Sequence, residues 1–451
     1  MKNVIGILRE GSSKRGERRT AITPDYARHI TGWGYRLIVQ PAVNPKTGEV
    51  KRAFRDELYK TAGAEISEDL SKAVLLFGLK EIDIYKISQG KTYCLFSHTH
   101  KGQIKNRPLL KAFIKNNATV IDYELIRDEK HRRLINAFTY NAGYAGMVDT
   151  LWTLGIRLKN KGIKNPFSII PQAIEGEDLQ DIKNIISKAG EKIKANGTPK
   201  NLSPVITVIL GKGKTSHGAQ EIYDIFPCEK IKLQDIESVF NSGSRNKVYK
   251  LVLSISEMYR ARPGYKKEFE NYDKLTEPEK DRYYMMHPEM YESNLDKVLP
   301  YATILMNCIN WSPKYPRVLS NKLMRNMYEI SKSLKAIGDI TCDPNGSIEF
   351  SKETWIDNPV YIYNPLSGTI KDGFRGDGVA VMAVTNLPCE FSEDASRHFG
   401  ANIFPYLKDM VNANYGGGLE NSGLPPEIKR AVILWRGEFT AEYNYMKKYL
   451  V

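Results

Sequence analysis

The sequence predicts an α/β protein with two parallel sheets, and two observations, a pattern of apolar runs and the chain length, lead to this fold class. Short apolar runs alternate with polar segments of helical spacing, first near the N-terminus and again after residue 204. Buried runs of this length, separated by helices, are typical of parallel strands that are covered on both faces. The chain has 451 residues, which is long enough for two such domains.

The apolar runs fall into two series, each of which predicts one sheet. The first series predicts the strands Val4–Leu8, Arg36–Gln40, Val74–Leu79, Thr92–Ser97 and Ala118–Tyr123. The second series predicts the strands Val205–Leu210, Glu229–Leu233, Lys250–Ile255, Thr303–Cys308 and Ala336–Ile340. We therefore expect a substrate domain at residues 1–150 plus 385–451 and a dinucleotide-binding domain at residues 151–384, with a cleft between them. The segment Tyr259–Asp296 interrupts the second series as an insertion, either a lid or a surface excursion.

Composition limits the classes of partner. The formal net charge of +14 suits a Lys-rich surface or anionic small molecules, and nucleic acid is the least favoured reading because no nucleic-acid module accompanies the charge. No apolar run is long enough for a membrane helix, and the N-terminus has the pattern of a buried strand rather than of a signal peptide. The five cysteines are scattered without metal-ligand spacing. We expect a cytoplasmic protein without a bound metal, and a homo-oligomer is compatible with the sequence.

A glycine-rich turn follows the predicted strand at 205–210. Gly211 permits a tight turn, Gly213 lets backbone amides approach a pyrophosphate, and Gly218 allows close packing of the next helix, predicted from about residue 219. Lys214 lies within this turn, which predicts a Rossmann-like dinucleotide site. Lys232, near the end of the next predicted strand, suits a 2′-phosphate, so the sequence favours NADP(H) and leaves NAD(H) open.

Ionisable residues follow three predicted strands of the first domain. Lys80, His98 and Glu124 each come directly after an apolar run. Because the carboxyl ends of parallel strands meet at one edge of a sheet, these residues form a candidate acid–base cluster. Arg18 and Arg19 precede a predicted helix at the same edge, where a guanidinium could bind a substrate carboxylate.

These residues stand in motifs that resemble a known family. The motifs of the first domain are Gly16–Pro24, Leu79-Lys80, Phe96–Thr99, Ile121–Glu124 and Ala142–Gly146. The motifs of the second are Gly211–Gln220, Ile225–Glu229, Met286–Tyr291, Asp339-Ile340, Gly346–Phe350 and Asn386–Pro388. Together they resemble the lysine-forming saccharopine dehydrogenases and alanine dehydrogenases, and most of all the lysine–ketoglutarate reductase half of the α-aminoadipic semialdehyde synthases.

The resemblance implies NADPH-dependent reductive condensation of L-lysine with 2-oxoglutarate to saccharopine. It makes Lys80 and His98 the acid–base pair, with Glu124 tuning Lys80, and it makes Arg19, with Arg18 beside it, the group that holds a substrate carboxylate. The basic segment at 130–133 adds a further substrate contact, assigned to Arg133 with Arg132 left open. The cleft-lining residues beside the nicotinamide would be Asp339, Asp343 and Asn386.

Other functions remain open at this stage. A related amino-acid dehydrogenase that acts on alanine or ornithine would use the same chemistry, and a non-catalytic metabolite-binding protein could keep the same fold. The resemblance also implies that the saccharopine-oxidising half of the bifunctional enzyme is absent from this chain.

Overall fold

The computed structural model describes residues 2–11, 15–135, 138–265, 269 and 271–450. Its strands are β1 Val4–Ile7, β2 Arg36–Val39, β3 Glu65–Ile66, β4 Leu75–Phe77, β5 Thr92–Leu95, β6 Thr119–Asp122, β7 Val205–Leu210, β8 Cys228–Lys230, β9 Val248–Leu253, β10 Tyr259–Ala261, β11 Tyr291–Ser293, β12 Ile304–Asn307, β13 Ala336–Asp339, β14 Val360–Tyr363, β15 Ile370–Asp372, β16 Val379–Met382, β17 Val432–Trp435 and β18 Glu438–Phe439. Its α-helices are α1 Pro24–Gly32, α2 Asp56–Thr61, α3 Arg107–Lys115, α4 Thr139–Asn160, α5 Leu179–Asn196, α6 Lys214–Tyr223, α7 Ile236–Ser242, α8 Ile255–Met258, α9 Glu277–Met286, α10 Asn321–Ile330, α11 Ser392–Asn412 and α12 Pro426–Lys429. Among the described helices, none is both long and apolar enough to cross a membrane.

The chain divides into two compact units. The first unit is Met1–Phe138 with Ser392–Val451, and the second is Thr139–Phe391. The sequence places these boundaries at residues 150 and 385, which would divide helix α4. The whole of α4 belongs to the second unit because its glycines pack closely there. A Cβ atom on Gly143 would lie 2.1 Å from the carbonyl oxygen of Thr215, and one on Gly155 would lie 2.6 Å from that of Phe167.

The first unit is built on one sheet in the order β18-β17-β6-β5-β4-β1-β2-β3. Strands β1 to β6 pair in parallel. The C-terminal strands β17 and β18 extend the sheet in antiparallel fashion beside β6. The apolar strands β4, β5 and β6 are buried along their whole length, as expected for the middle of a sheet with two covered faces.

The second unit holds a sheet in the order β15-β14-β16-β13-β12-β7-β9-β8. Strand β7 pairs in parallel with β12 and with β9, and β8 lies outside β9 at the edge of the sheet. All six residues of β9 are buried, whereas two of the three residues of β8 are exposed. The apolar strand therefore takes the central place beside β7, and the short charged strand takes the edge.

The insertion predicted at Tyr259–Asp296 forms a small packed substructure in its described part, since residues 266–268 and 270 lie outside the described residues. Strands β10 and β11 pair in antiparallel fashion, and α9 lies between them in sequence. The ring of Tyr284 stacks on Tyr259 with centroids 4.8 Å apart and contacts Tyr291 edge-on at 5.1 Å. Tyr284 also stacks on Tyr315, outside the insertion, with centroids 5.2 Å apart, so aromatic packing connects this segment to the rest of the second unit.

Candidate active site

Three ionisable residues predicted from the sequence follow neighbouring parallel strands of the first unit. Lys80 follows β4, His98 follows β5, and Glu124 follows β6, and these strands are adjacent in the order β6-β5-β4. Since parallel strands end at the same edge of a sheet, all three lie along one edge. Two of them lie against the ring of Phe96: the Lys80 ammonium is 5.8 Å from its centroid, and the His98 ring stacks on it at 6.2 Å.

The imidazole of His98 is held by a carboxylate that sequence analysis missed. Nδ1 of His98 lies 2.8 Å from Oε1 of Glu81, and both side chains are mostly buried. When Nδ1 carries the hydrogen of this bond, Nε2 of a neutral ring has the lone pair that can accept a proton. The backbone of His98 has a φ of 51°, in the left-handed region that few non-glycine residues adopt. Such strain at a sheet edge is a common mark of a functional residue.

A second carboxylate missed in the sequence fixes the backbone at the end of β4. Glu10 accepts hydrogen bonds from the backbone N–H of Leu79 at 2.8 Å and of Lys80 at 2.9 Å. Complete burial, with a contribution from the nearby charge of Glu17, raises the pKa of Glu10 to about 7. This carboxyl group therefore positions Lys80 and also titrates near neutral pH.

Glu124 lies among cations. Its carboxylate is 2.9 Å from Nζ of Lys101, 2.8 Å from a terminal nitrogen of Arg133 and 3.6 Å from Nε2 of His100. Burial would raise the pKa of Glu124, but the hydrogen bond and charge of Lys101, with the charges of Arg133 and His100, outweigh burial and lower it. The tuning of Lys80 by Glu124 stays a prediction.

The basic segment at 130–133 divides its two arginines between different carboxylates. Arg133 reaches Glu124, whereas Nε of the exposed Arg132 donates to Asp128 at 2.7 Å. Arg133 is thus the arginine of this pair that lies at the strand-end cluster.

His100 also faces the buried Asp122, with 3.8 Å between Nδ1 and Oδ2. Oδ2 of Asp122 accepts hydrogen bonds from the hydroxyl of Ser97 at 2.6 Å and from its backbone N–H at 3.0 Å. His100, Asp122 and Glu124 bring possible metal-ligand atoms within 4.8 Å of one another. Ser97 already donates two hydrogen bonds to Asp122, and Lys101 and Arg133 already neutralise Glu124. The arrangement therefore fits a hydrogen-bonded network better than a cation site.

Arg19 is buried and held by a neighbouring carboxylate. Its Nε and NH2 groups donate to the two oxygens of Glu17 at 2.8 and 2.6 Å, and its guanidinium stacks on the ring of Phe138 at 4.2 Å. A substrate carboxylate at Arg19 would therefore share the guanidinium with Glu17. The adjacent Arg18 is partly exposed, and its Nε is buried without a hydrogen-bond partner among the described residues.

The glycine turn of the second unit lies between β7 and α6. Gly211 has a φ of 93°, which only glycine adopts readily, and its N–H donates to the carbonyl oxygen of Leu253 at 3.0 Å. Gly213 precedes the first residue of α6, and no heavy atom lies within 4 Å of a Cβ placed on it. Open backbone amides at the start of a helix of ten residues fit a pyrophosphate.

Helix α6 begins at Lys214 rather than near residue 219, so that Gly218 lies inside it. A Cβ on Gly218 would lie 2.4 Å from the carbonyl oxygen of Tyr140 on α4. Gly218 is therefore needed for the contact between two helices of the second unit, whereas Lys214 is exposed at the start of α6.

The sheet order corrects the premise that made Lys232 a cofactor ligand. That expectation requires β8 to lie beside β7, but β9 lies between them. The backbone N–H of Lys232 donates to Asp235 at the start of a 3-10 turn. The position next to the glycine turn belongs instead to the end of β9, at Ser254.

Asp339 and its neighbours follow β13. Asp339 is buried and accepts hydrogen bonds from the amide of Asn307 at 2.7 Å, the backbone N–H of Cys342 at 3.1 Å and the hydroxyl of Ser351. Burial raises the pKa of Asp339. This carboxyl group thus joins the ends of β12 and β13 to the following loop.

The other two residues predicted to lie beside the nicotinamide also follow strands of this sheet. Asp343 comes four residues after β13, and its pKa is raised by burial and by the charge of Glu353. Asn386 comes four residues after β16, and its carbonyl oxygen accepts a hydrogen bond from the N–H of Cys389 at 2.9 Å. Their contact with a nicotinamide stays a prediction.

Comparison with known proteins connects both units to dehydrogenases. Residues 6–145 match the family model "Alanine dehydrogenase/PNT, N-terminal domain". The chain is 34% identical, over 99% of its length, to an α-aminoadipic semialdehyde synthase of Arabidopsis thaliana, of which it spans 41%. It is 26% identical to a saccharopine dehydrogenase [NAD(+), L-lysine-forming] of Candida glabrata, over 60% of this chain and 70% of that protein. A solved L-alanine dehydrogenase superposes with a TM-score of 0.61 at 16% identity, covering 99% of this chain and all of the other, which shows a common Rossmann-like fold.

Proposed function

We propose that the chain belongs to the family of the lysine-forming saccharopine dehydrogenases and alanine dehydrogenases, and that it is a lysine–2-oxoglutarate reductase that forms saccharopine. The similarity to an α-aminoadipic semialdehyde synthase over 99% of the chain and the family-model match of residues 6–145 support this proposal. The chain spans less than half the length of the Arabidopsis relative, so the proposal concerns the reaction that this part alone performs. The observation that carries it is the placement of Lys80 and His98 against one aromatic ring at the edge of the first sheet.

The chemistry needs two proton-transfer groups and a hydride. The ε-amine of lysine attacks the keto carbon of 2-oxoglutarate and forms a carbinolamine, which loses water to give an imine. A reduced nicotinamide bound at the glycine turn supplies the hydride that reduces the imine. His98, held through Nδ1 by Glu81, accepts at Nε2 the proton that the attacking amine loses. His98 then returns this proton to the carbinolamine oxygen. Lys80, as an ammonium ion, donates the second proton, so that the hydroxyl group leaves as water and a protonated imine remains, which the hydride reduces to the secondary amine.

The cationic groups near this edge match the charges of the substrates. 2-Oxoglutarate carries two carboxylates, and lysine carries one. Arg133 lies next to Glu124, and Nε of Arg18 has no hydrogen-bond partner in the described part of the chain. Both side chains supply guanidinium groups that can bind carboxylates in a bidentate manner. Arg19 acts together with Glu17, which fixes the orientation of its guanidinium.

The variants Lys80→Met and His98→Gln test the acid–base assignment. Each should lower kcat by roughly 10²- to 10⁴-fold, the usual size for removing a proton-transfer group. Nucleotide binding should remain as in the wild type, because both residues lie on the first unit and the glycine turn lies on the second. Lys105→Met removes an exposed lysine from the same unit and serves as the matched control. Full activity in either active-site variant would remove that residue from the mechanism.

A further inference from the structure

The strand next to the glycine turn determines where the adenosine ribose of a dinucleotide can bind. In this fold, the pyrophosphate lies at the start of the helix after the first strand, and the ribose lies at the end of the neighbouring strand. The neighbour on this side of β7 is β9, as the hydrogen bond from Gly211 to Leu253 shows directly. Nζ of Lys212, in the turn, also lies 3.8 Å from the carboxylate of Glu257, just past β9.

The end of β9 presents a carboxylate in a fixed position. Ser254 caps the short helix α8, and Oε2 of Glu257 accepts hydrogen bonds from the backbone N–H of Ser254 at 2.7 Å and from its hydroxyl at 2.8 Å. A carboxylate oxygen has two acceptor sites, and Oε1 is a second oxygen, so Glu257 can accept further hydrogen bonds. The side chain is about one-third exposed and is therefore accessible to a ligand.

The insertion adds a second carboxylate to the same place. Helix α9 packs on α8, and both oxygens of Glu277 lie 3.1 Å from the hydroxyl of Ser256. Burial would raise the pKa of Glu277, but the hydrogen bonds of Ser256 and Ser254, with the charges of Lys212 and Lys280, outweigh it and lower the pKa. Glu277 is therefore ionised at neutral pH.

The charge at this position disfavours a phosphate group. Asp281, one turn after Glu277 on α9, adds a third carboxylate to this group. The cations that face these carboxylates are Lys212 and Lys280. Both cations are already close to carboxylates, Lys212 to Glu257 and Lys280 to Glu277 at 3.7 Å. A 2′-phosphate would add about two negative charges next to this group, whereas a 2′-hydroxyl can donate a hydrogen bond to it.

We propose that Glu257 and Glu277 form a ribose-reading pair that accepts hydrogen bonds from the adenosine ribose of NAD(H) and repels the 2′-phosphate of NADP(H). This inference rests on the proposed function only in requiring a dinucleotide at the glycine turn. It assigns a role to the insertion, which supplies Glu277, and it replaces the preference for NADP(H) that Lys232 suggested.

The test measures binding to the full chain without substrates, using ADP-ribose and 2′-phospho-ADP-ribose in isothermal titration calorimetry. The wild type should bind ADP-ribose at least roughly 30-fold more tightly than 2′-phospho-ADP-ribose, because bringing the 2′-phosphate next to the carboxylates costs several kcal/mol. In the double variant Glu257→Gln/Glu277→Gln, the ratio of the two dissociation constants should fall by about 10-fold or more, mainly because the phosphorylated ligand binds more tightly. Glu289→Gln, an exposed change in the same insertion, should keep the wild-type ratio.

Three results would overturn the inference. One is a wild-type preference for the 2′-phosphorylated ligand, and another is an unchanged ratio in a double variant whose circular dichroism spectrum and melting temperature match the wild type. The third is failure of both ligands to bind, which would also refute the dinucleotide site and with it the proposed function. A measured preference for ADP-ribose with no condensation activity would refute the proposed function alone.

Discussion

Glu10 gives a quantitative test of the electrostatics at the strand ends, through the variant Glu10→Gln. Burial raises the pKa of this carboxyl group from 4.5 to about 7 in the folded chain. The folded state therefore binds the proton more tightly than the unfolded state does. The stability of the folded chain falls as pH rises from about 4.5 to about 7, and the loss is complete above the folded pKa.

The magnitude follows from the size of this shift. Each pKa unit corresponds to about 1.4 kcal/mol. The ionisation of Glu10 therefore lowers the unfolding free energy by about 2.5 kcal/mol between pH 5 and pH 8. Glutamine cannot ionise, but it has one acceptor oxygen where the backbone N–H groups of Leu79 and Lys80 need two. The lost hydrogen bond costs about 1 to 3 kcal/mol at every pH. This cost cancels when the unfolding free energies at the two pH values are subtracted.

The assay is urea unfolding of wild type and variant at pH 5 and pH 8, followed by circular dichroism. The difference in unfolding free energy, variant minus wild type, should shift by about 2.5 kcal/mol in favour of the variant at pH 8. Glu57→Gln, an exposed glutamate of the same unit, controls for the change in net charge. A difference that stays constant between the two pH values would refute the assignment of a raised pKa to Glu10.

Two further predictions concern packing and substrate binding. Gly218→Ala should destabilise the chain by roughly 2 kcal/mol or more in thermal unfolding, because its Cβ would lie 2.4 Å from the carbonyl oxygen of Tyr140. Gly213→Ala, where the space is open, should cost less than about 1 kcal/mol, and equal losses would contradict the packing argument. Arg133→Met should raise KM for 2-oxoglutarate by about 10-fold or more, since a charged hydrogen bond to the substrate is lost, whereas Arg132→Met should not. Equal KM values in the two arginine variants would remove Arg133 from the substrate site.

The sequence was sufficient to predict the strand-end residues because their placement depends on local pattern. Each of Lys80, His98 and Glu124 follows an apolar run, and parallel pairing brings the ends of such runs to one edge. Their partners were not predictable in the same way. Glu10 is 70 residues from Lys80, and Glu81 is 17 residues from His98, so only the tertiary fold brings them together.

The order of the strands in the second sheet was the other feature that could not be predicted from the sequence. The pattern at Glu229–Leu233 predicts a strand that overlaps β8, at Cys228–Lys230, but ends beyond it. The pattern does not say which strand β8 pairs with, and β9 takes the place beside β7 because β9 is more apolar. The start of α6 was placed too late because glycine is a poor helix former, yet close packing on α4 requires glycine at position 218. In both cases a tertiary contact outweighs a local preference.

The central claim is that the chain joins lysine to 2-oxoglutarate by reduction, and the most direct measurement is nucleotide oxidation by the purified chain with each substrate alone and with both. NADH and NADPH are tested separately, so that cofactor preference does not affect the outcome. Oxidation should require lysine and 2-oxoglutarate together, with saccharopine identified by mass spectrometry as the product. Oxidation with 2-oxoglutarate and ammonia, or with pyruvate and ammonia, or its absence when both proposed substrates are present, would contradict the claim.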